Sequence, residues 1–392
     1  MDKEEKIPYG KQSICQDDID AVVNVLKSEF LTQGPFVAEF EKAFANYIGA
    51  KYAVAVSNGT AALHLSVLAM GVKKGDKVIT TPITFAASAN CVRYSDGDVI
   101  FSDIDPETYL IDLRLVEKLL NDSPIGTYKG IIPVNFAGKA VDLEKLRHLA
   151  DRFGCWIIED ACHSPGGYFT DSKGIKQNCG NGVYADLSIF SFHPVKHITS
   201  GEGGMITTND ETLYKHLINL RTHGIQQDKS KYEYNHGVWY YEMQELGYNY
   251  RLTDIQAALG TSQLRKAYAG VKLRKSIAAK YDCSFSDKSY IKAYPSTDIG
   301  HAYHLYVIEV ENRDELMIYL RSKNIYTQIH YIPIYKMPYY RDLGLVDSSC
   351  PNSEAYYKCC LSLPIFPSLT EKNQDYVIQC IDDFFVKRGT SA

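Results

Sequence analysis

A lysine forms an imine with a carbonyl only as the free amine, a form that burial and nearby cations favour. The stretch Ser191-Phe192-His193-Pro194-Val195-Lys196 has the composition for such a group. A short apolar strand, Leu187 to Phe190, ends in a serine, and five residues on a single lysine stands in a segment short of charge. Pro194, Gly201, Gly203 and Gly204 rule out regular helix or strand there, which puts Lys196 on a loop beside a sheet edge. An imine-forming lysine is one reading; a solvated loop lysine is the other.

Three further stretches bear on the choice. Trp156-Ile157-Ile158 is followed by Glu159 and Asp160, and a carboxylate after a buried strand is costly unless paired. A pyridinium N–H is a suitable partner for Asp160; a magnesium site or a helix cap are the alternatives. His163, three residues on, suits packing over a flat ring. Asn58-Gly59-Thr60-Ala61-Ala62 joins a strand end to a helix start, where free amides and the helix dipole suit a phosphate. The plain alternative is an ordinary turn with a threonine cap. It is neither a Walker A loop nor G-x-G-x-x-G. Thr81-Pro82-Ile83-Thr84-Phe85 offers Phe85 as a stacking ring or as a core aromatic at a helix start. Together these make a kit for pyridoxal 5'-phosphate: phosphate site, ring stack, ring-nitrogen acid and imine lysine.

The elements that must position them alternate. Strands are expected at 52–56, 78–81, 99–102, 130–134 and 155–159, with helices at 60–70, 85–94, 113–120 and 143–153 between them. The strands are near-continuous apolar runs, as in a sheet covered on both faces. This predicts an α/β fold with a mostly parallel, doubly wound sheet, in which ligands bind at the carboxyl ends of strands. Two helices precede it, at 16–28 and from Phe36 to Tyr47. Residues 226–245 look like an excursion loop. Thr253-x-x-Gln256 reads as a capping box, 304–310 and 326–330 as strands, 315–322 as a helix, and Ser368-x-x-Glu371 as the start of a last helix. The division predicted is a large domain, 1–252, and a smaller α+β domain, 253–392.

The bulk properties exclude several classes. The chain has 392 residues and a net charge of -5, which gives no general attraction for nucleic acid or an anionic membrane. No apolar run approaches the roughly 20 residues needed to span a bilayer. The charged start, Met1 to Lys6, is no secretory signal, and ten scattered cysteines without a C-x-x-C pair fit free thiols, so a cytoplasmic location is expected.

These blocks, with Gly201-Glu202-Gly203-Gly204 and Gly247-Tyr248-Asn249-Tyr250-Arg251, resemble the sugar aminotransferases of the DegT/DnrJ/EryC1/StrS family over nearly the whole chain. Within the family the chain looks most like the branch that makes pseudaminic acid precursors, through Leu31-Thr32-Gln33-Gly34, Asn135-Phe136-Ala137-Gly138-Lys139 and Gln328-Ile329-His330-Tyr331. The resemblance implies a type I aminotransferase fold, a homodimer with shared active sites, L-glutamate as donor and a UDP-linked 4-keto-6-deoxy-N-acetyl sugar as acceptor. By resemblance Lys196 bonds to the cofactor and then shuttles the proton. Asp160 pairs with the ring nitrogen, Phe85 stacks, and Thr60, Ala61 and Ser191 hold the phosphate. Asn249 reaches the partner subunit's cofactor, and Tyr9, Leu31, Thr32, His330 and Tyr331 line the sugar-nucleotide pocket. Cys162-His163 and Asn58-Gly59-Thr60 depart from the branch's usual residues. Another 4-keto sugar, a non-catalytic binding protein and a zinc hydrolase built on His301-x-x-His304 are the rival readings.

Overall fold

The structure, a computed structural model, describes residues 6–226, 228–234, 236–293, 299–344, 350–387 and 389. Its centre is a seven-stranded sheet in the order Tyr52–Val56, Gly204–Thr208, Leu187–Ser191, Trp156–Asp160, Tyr128–Ile132, Lys77–Thr80, Asp98–Phe101. All neighbours are parallel except Gly204–Thr208, which runs antiparallel to both strands beside it. This is the mostly parallel α/β sheet that the alternation of strands and helices predicts. Strands such as Trp156–Asp160, buried at every residue, explain the unbroken apolar runs: helices cover both faces.

One helix is apolar almost all round. Gly59–Ala69 buries Gly59 and every residue from Ala61 to Val67, so it sits inside the molecule with its N-terminus at the strand ends. Asn58 caps it, accepting a hydrogen bond from the Ala61 amide at 2.8 Å. Behind the strand Leu187–Ser191 lies an aromatic cluster in which the Phe44 ring meets Phe190 edge-on at 4.9 Å and Phe192 at 5.4 Å. Among the described residues no helix is long and apolar enough to cross a membrane.

The C-terminal part builds a three-stranded antiparallel sheet from Lys292–Ala293, Tyr306–Glu309 and Cys360–Leu363. Helices Ala267–Phe285, Arg313–Ser322 and Glu371–Lys387 supply its core, with Tyr281, Ile308, Leu316, Leu363 and Ile381 among the buried residues. We propose 1–252 and 253–392 as the two domains. Many contacts cross that division; among them Ile7 pairs with Ile325, Asp254 accepts from the amides of Gly34 and Phe36 at 2.7 and 2.9 Å, and Asp18 accepts from Ser262 at 2.7 Å.

Some local expectations are corrected. Residues 326–330 form no strand; Gln328 makes a single bridge to Ser362. The last helix starts at Glu371, and Thr370 rather than Ser368 takes its amide, from Asn373 at 3.1 Å. The helix expected from Phe85 starts at Ala87, leaving Phe85 on the preceding turn. The stretch 226–245 contains a small hairpin of Ile225–Gln226 with Glu242–Met243.

Candidate active site

A cavity of about 970 Å³ opens at the carboxyl ends of the parallel strands, as the topology requires. Tyr9, Thr60, Ala61, Phe85, Asp160, His163, Ser191, Lys196, His330 and Tyr331 all line it. Leu31, Thr32 and Asn249 do not. Leu31 is half exposed, its carbonyl taken by the Asp254 amide, while Thr32 bridges to Thr253 and Asn249 to Thr222.

Asp160 ends its strand almost fully buried. Its Oδ2 accepts from the Ser88 hydroxyl at 2.7 Å and its Oδ1 from the Cys162 amide at 3.1 Å. Ser88 is backed by the Thr84 hydroxyl at 2.8 Å. Glu159 faces the other way. Its carboxylate accepts from Asn135, Ser188 and the Gly180 amide at 2.7, 2.7 and 2.9 Å, and burial holds its carboxyl above the usual range. Glu159 is therefore a support for the strand ends.

The turn into Gly59–Ala69 is built close against Ser191. A Cβ on Gly59 would stand 3.0 Å from Ser191 Cβ, so glycine preserves the space between helix N-terminus and strand end. That space, the N-terminal amides and the Thr60 and Ser191 hydroxyls make an anion cradle.

Lys196 is enclosed. Burial pulls its amine below the ordinary lysine range, with Arg274 acting the same way and Cys162 and Asp160 opposing. Its Nζ lies 3.4 Å from His304 Nε2. The His304 ring stands 4.3 Å from that of His163, whose Nε2 meets the Tyr331 hydroxyl at 3.3 Å. Burial, then the Lys196 charge, keeps both imidazoles well below 6.5 and hence neutral. His330 is pushed down to about 3 by burial and bonds Ser362 Oγ through Nδ1 at 2.8 Å. Tyr9 packs on His330 with ring centroids 5.3 Å apart. Phe85 is 61% exposed at the mouth, 6.4 Å from the Tyr331 ring, so it borders the cavity more than it roofs it.

Sequence reading passed over Ser88 and the role of His304. Ser88 carried one signal, its i, i+4 spacing from Thr84 in an otherwise apolar stretch. In the sequence His304 shows only as the start of a strand and as the second half of His301-x-x-His304. Among the described residues no cluster could hold a metal, and His301 instead accepts from the Tyr303 amide at 2.9 Å.

The residues fit pyridoxal phosphate. A buried acid, a buried amine of lowered basicity and a helix N-terminus with a glycine-kept recess face one cavity. Fold and site together define a pyridoxal-phosphate-dependent aminotransferase. The family model "DegT/DnrJ/EryC1/StrS aminotransferase family" matches residues 12–382, and the chain belongs to that family. It is 37% identical over 378 residues to the UDP-4-amino-4,6-dideoxy-N-acetyl-beta-L-altrosamine transaminase of Campylobacter jejuni, covering 95% of each chain. It is 36% identical to the spore coat polysaccharide biosynthesis protein SpsC of Bacillus subtilis, covering 96% of each. Among solved structures, Helicobacter pylori PseC, an aminotransferase of pseudaminic acid biosynthesis, superposes with TM-score 0.87 at 29% identity, over 98% of this chain and 100% of that one. The PLP form of the Streptococcus pneumoniae sugar aminotransferase Spr1654 does so with TM-score 0.87 at 27% identity, over 98% and 99%.

Proposed function

We propose that this chain moves the amino group of L-glutamate to C4 of a UDP-linked 4-keto-6-deoxy-N-acetyl sugar, UDP-2-acetamido-2,6-dideoxy-β-L-arabino-hex-4-ulose. The product is the 4-amino-4,6-dideoxy-N-acetyl-β-L-altrosamine nucleotide. The observation that carries this reading is the meeting of Lys196, Asp160 and the Gly59–Ala69 N-terminus in one cavity. Pyridoxal phosphate, when bound, supplies an electron sink for the carbon that carries the amine. Everything else falls to the chain. Asp160, held by the Ser88 hydroxyl, would accept from the N–H of the cofactor's ring nitrogen. The amides at 59 and 60 and the hydroxyls of Thr60 and Ser191 would hold the phosphate, whereas the Ala61 amide, expected to join them, is already bonded to Asn58 Oδ1 at 2.8 Å. Lys196, more readily uncharged because it is desolvated, would take the proton from the donor's α-carbon at its Nζ and pass it to the cofactor carbon that keeps the amine, while water releases the donor as 2-oxoglutarate. In the second half the same Nζ protonates and deprotonates in reverse, and the sugar C4 gains the amine. Donor and acceptor use the site in turn, so parallel initial-velocity lines are expected. His163, Tyr331, Tyr9 and His330 wall off water and face the acceptor.

Leu31, Thr32 and Asn249 lie outside the cavity; in the proposed homodimer with shared active sites, Asn249 would reach the partner subunit's cofactor. Full turnover by a species that light scattering shows to be monomeric would remove that part. Ten free cysteines suit the proposed cytoplasmic setting. The similarity to SpsC at nearly equal identity favours a second reading, a C4 aminotransferase for another nucleotide sugar. Turnover on a panel of UDP- and dTDP-linked 4-keto-6-deoxy sugars separates the two. The UDP-N-acetyl substrate is expected to give the highest kcat/KM, and a dTDP sugar ahead of it would overturn the choice.

A further inference from the structure

His304 stands apart from the groups just described because it touches the lysine itself. Its Nε2 is the hydrogen-bond partner of Lys196 Nζ, at 3.4 Å, and the imidazole is only 4% exposed. The backbone that carries it is fixed from two sides. Buried Arg274 donates through Nη1 to the carbonyls of Tyr303, His304 and Ile365 at 3.2, 3.3 and 2.9 Å. On the other side, the Ala302 and Leu305 amides donate to Gly138 and Ala137 at 2.8 and 3.2 Å. Gly138 is required there, since a Cβ would come within 2.9 Å of the His163 carbonyl and 2.8 Å of the Tyr303 amide. The ring is then flanked by His163 at 4.3 Å and His197 at 5.7 Å.

We propose that His304 is a positioning residue for Lys196: its Nε2 accepts a hydrogen bond from the ε-ammonium and holds the amine at the cavity wall whenever that amine is not bonded to another molecule. A long, flexible side chain must return to one place twice in each turnover, and a fixed acceptor shortens the search. The neutral state of the imidazole suits the role, because an imidazolium would repel the ammonium. The proposal rests on the role of Lys196 given above.

The test uses the full-length chain saturated with pyridoxamine phosphate, in which the lysine is free. Competitive acetylation with acetic anhydride, read by mass spectrometry on the Lys196 peptide, gives the pH at which the amine is half reactive. The other groups facing Lys196 (Asp160, Cys162, Arg274, His163, His197 and His330) stay unchanged. His304→Phe removes the acceptor and is expected to lower that midpoint by about one pH unit. His304→Gln keeps an acceptor oxygen and is expected to remain near the parent. Identical midpoints in all three proteins, or the same shift in both variants, would overturn the proposal. If His304→Phe does not fold, the ¹⁵N signal of His304 Nε2 decides: it moves in Lys196→Ala if the contact exists and stays if it does not. No sugar is present in either measurement. A borohydride adduct on a different lysine would sink the role of Lys196 without touching the contact.

Discussion

Side chains alternate across a strand, and at Glu159 and Asp160 that alternation separates support from chemistry. Glu159 is spent on three donors inside the sheet, while Asp160 points to the cavity with Ser88 behind it. Asp160→Asn keeps the volume and removes the charge; turnover is expected to fall by about a hundred- to a thousand-fold while the fold survives. Glu159→Gln is expected to do the reverse, costing about 1–3 kcal/mol of stability with turnover per folded molecule kept. Stopped-flow rates and urea midpoints on the two variants check this, and equal losses of rate would count against the division. The sequence already carried Asp160, Lys196 and the Asn58-Gly59-Thr60 turn, because each is an expensive or conformationally unusual residue at a strand end. It could not carry the contact between Lys196 and His304, which are more than a hundred residues apart and meet only through tertiary packing.

At the scale of elements, the strand Leu187–Ser191 ties the core to the site. Phe190 fills the aromatic cluster on one face, and the next residue, Ser191, faces the helix turn at Gly59. Phe190→Ala should cost about 3–5 kcal/mol and weaken cofactor binding as well, since the strand end shifts with the cavity it leaves. Equilibrium unfolding and a cofactor titration read both effects; lost stability with unchanged cofactor affinity would show that core and site are uncoupled. The same logic explains what was legible. Strands buried on both faces announce themselves as apolar runs, so the alternating half of the chain could be read directly. The helix Ala267–Phe285 could not, because its buried residues include Arg274 and its apolar positions form no clean stripe. The segment 326–330 misled in the other direction: it looks like a strand, yet Gln328 and His330 hang from Ser362 and line the cavity.

For the molecule as a whole, buried histidines set the response to acid. Burial pulls His163, His197, His301, His304 and His330 below 6.5, His301 and His330 to about 3. In the unfolded chain they titrate near 6.5, so below that pH the unfolded state binds more protons than the native one. The stability contributed by their neutral forms is complete above about pH 7.5 and is lost as pH falls from 6.5 towards the depressed native values. Each group then weakens the fold by about 1.4 kcal/mol per pH unit. Urea unfolding at pH 7.5, 6.5 and 5.5 should show a steep decline across the lower interval; a flat profile down to 5.5 would mean that these rings are not buried neutral.

The most direct test of the site is chemical. Purified protein with pyridoxal phosphate is reduced with borohydride, digested and mapped by mass spectrometry, with and without prior L-glutamate. The cofactor mass is expected on the peptide that carries Lys196, and treatment with L-glutamate before reduction should abolish it. An adduct on another lysine, or an adduct on Lys196 that L-glutamate leaves in place, would contradict the assignment of the lysine or of the donor respectively.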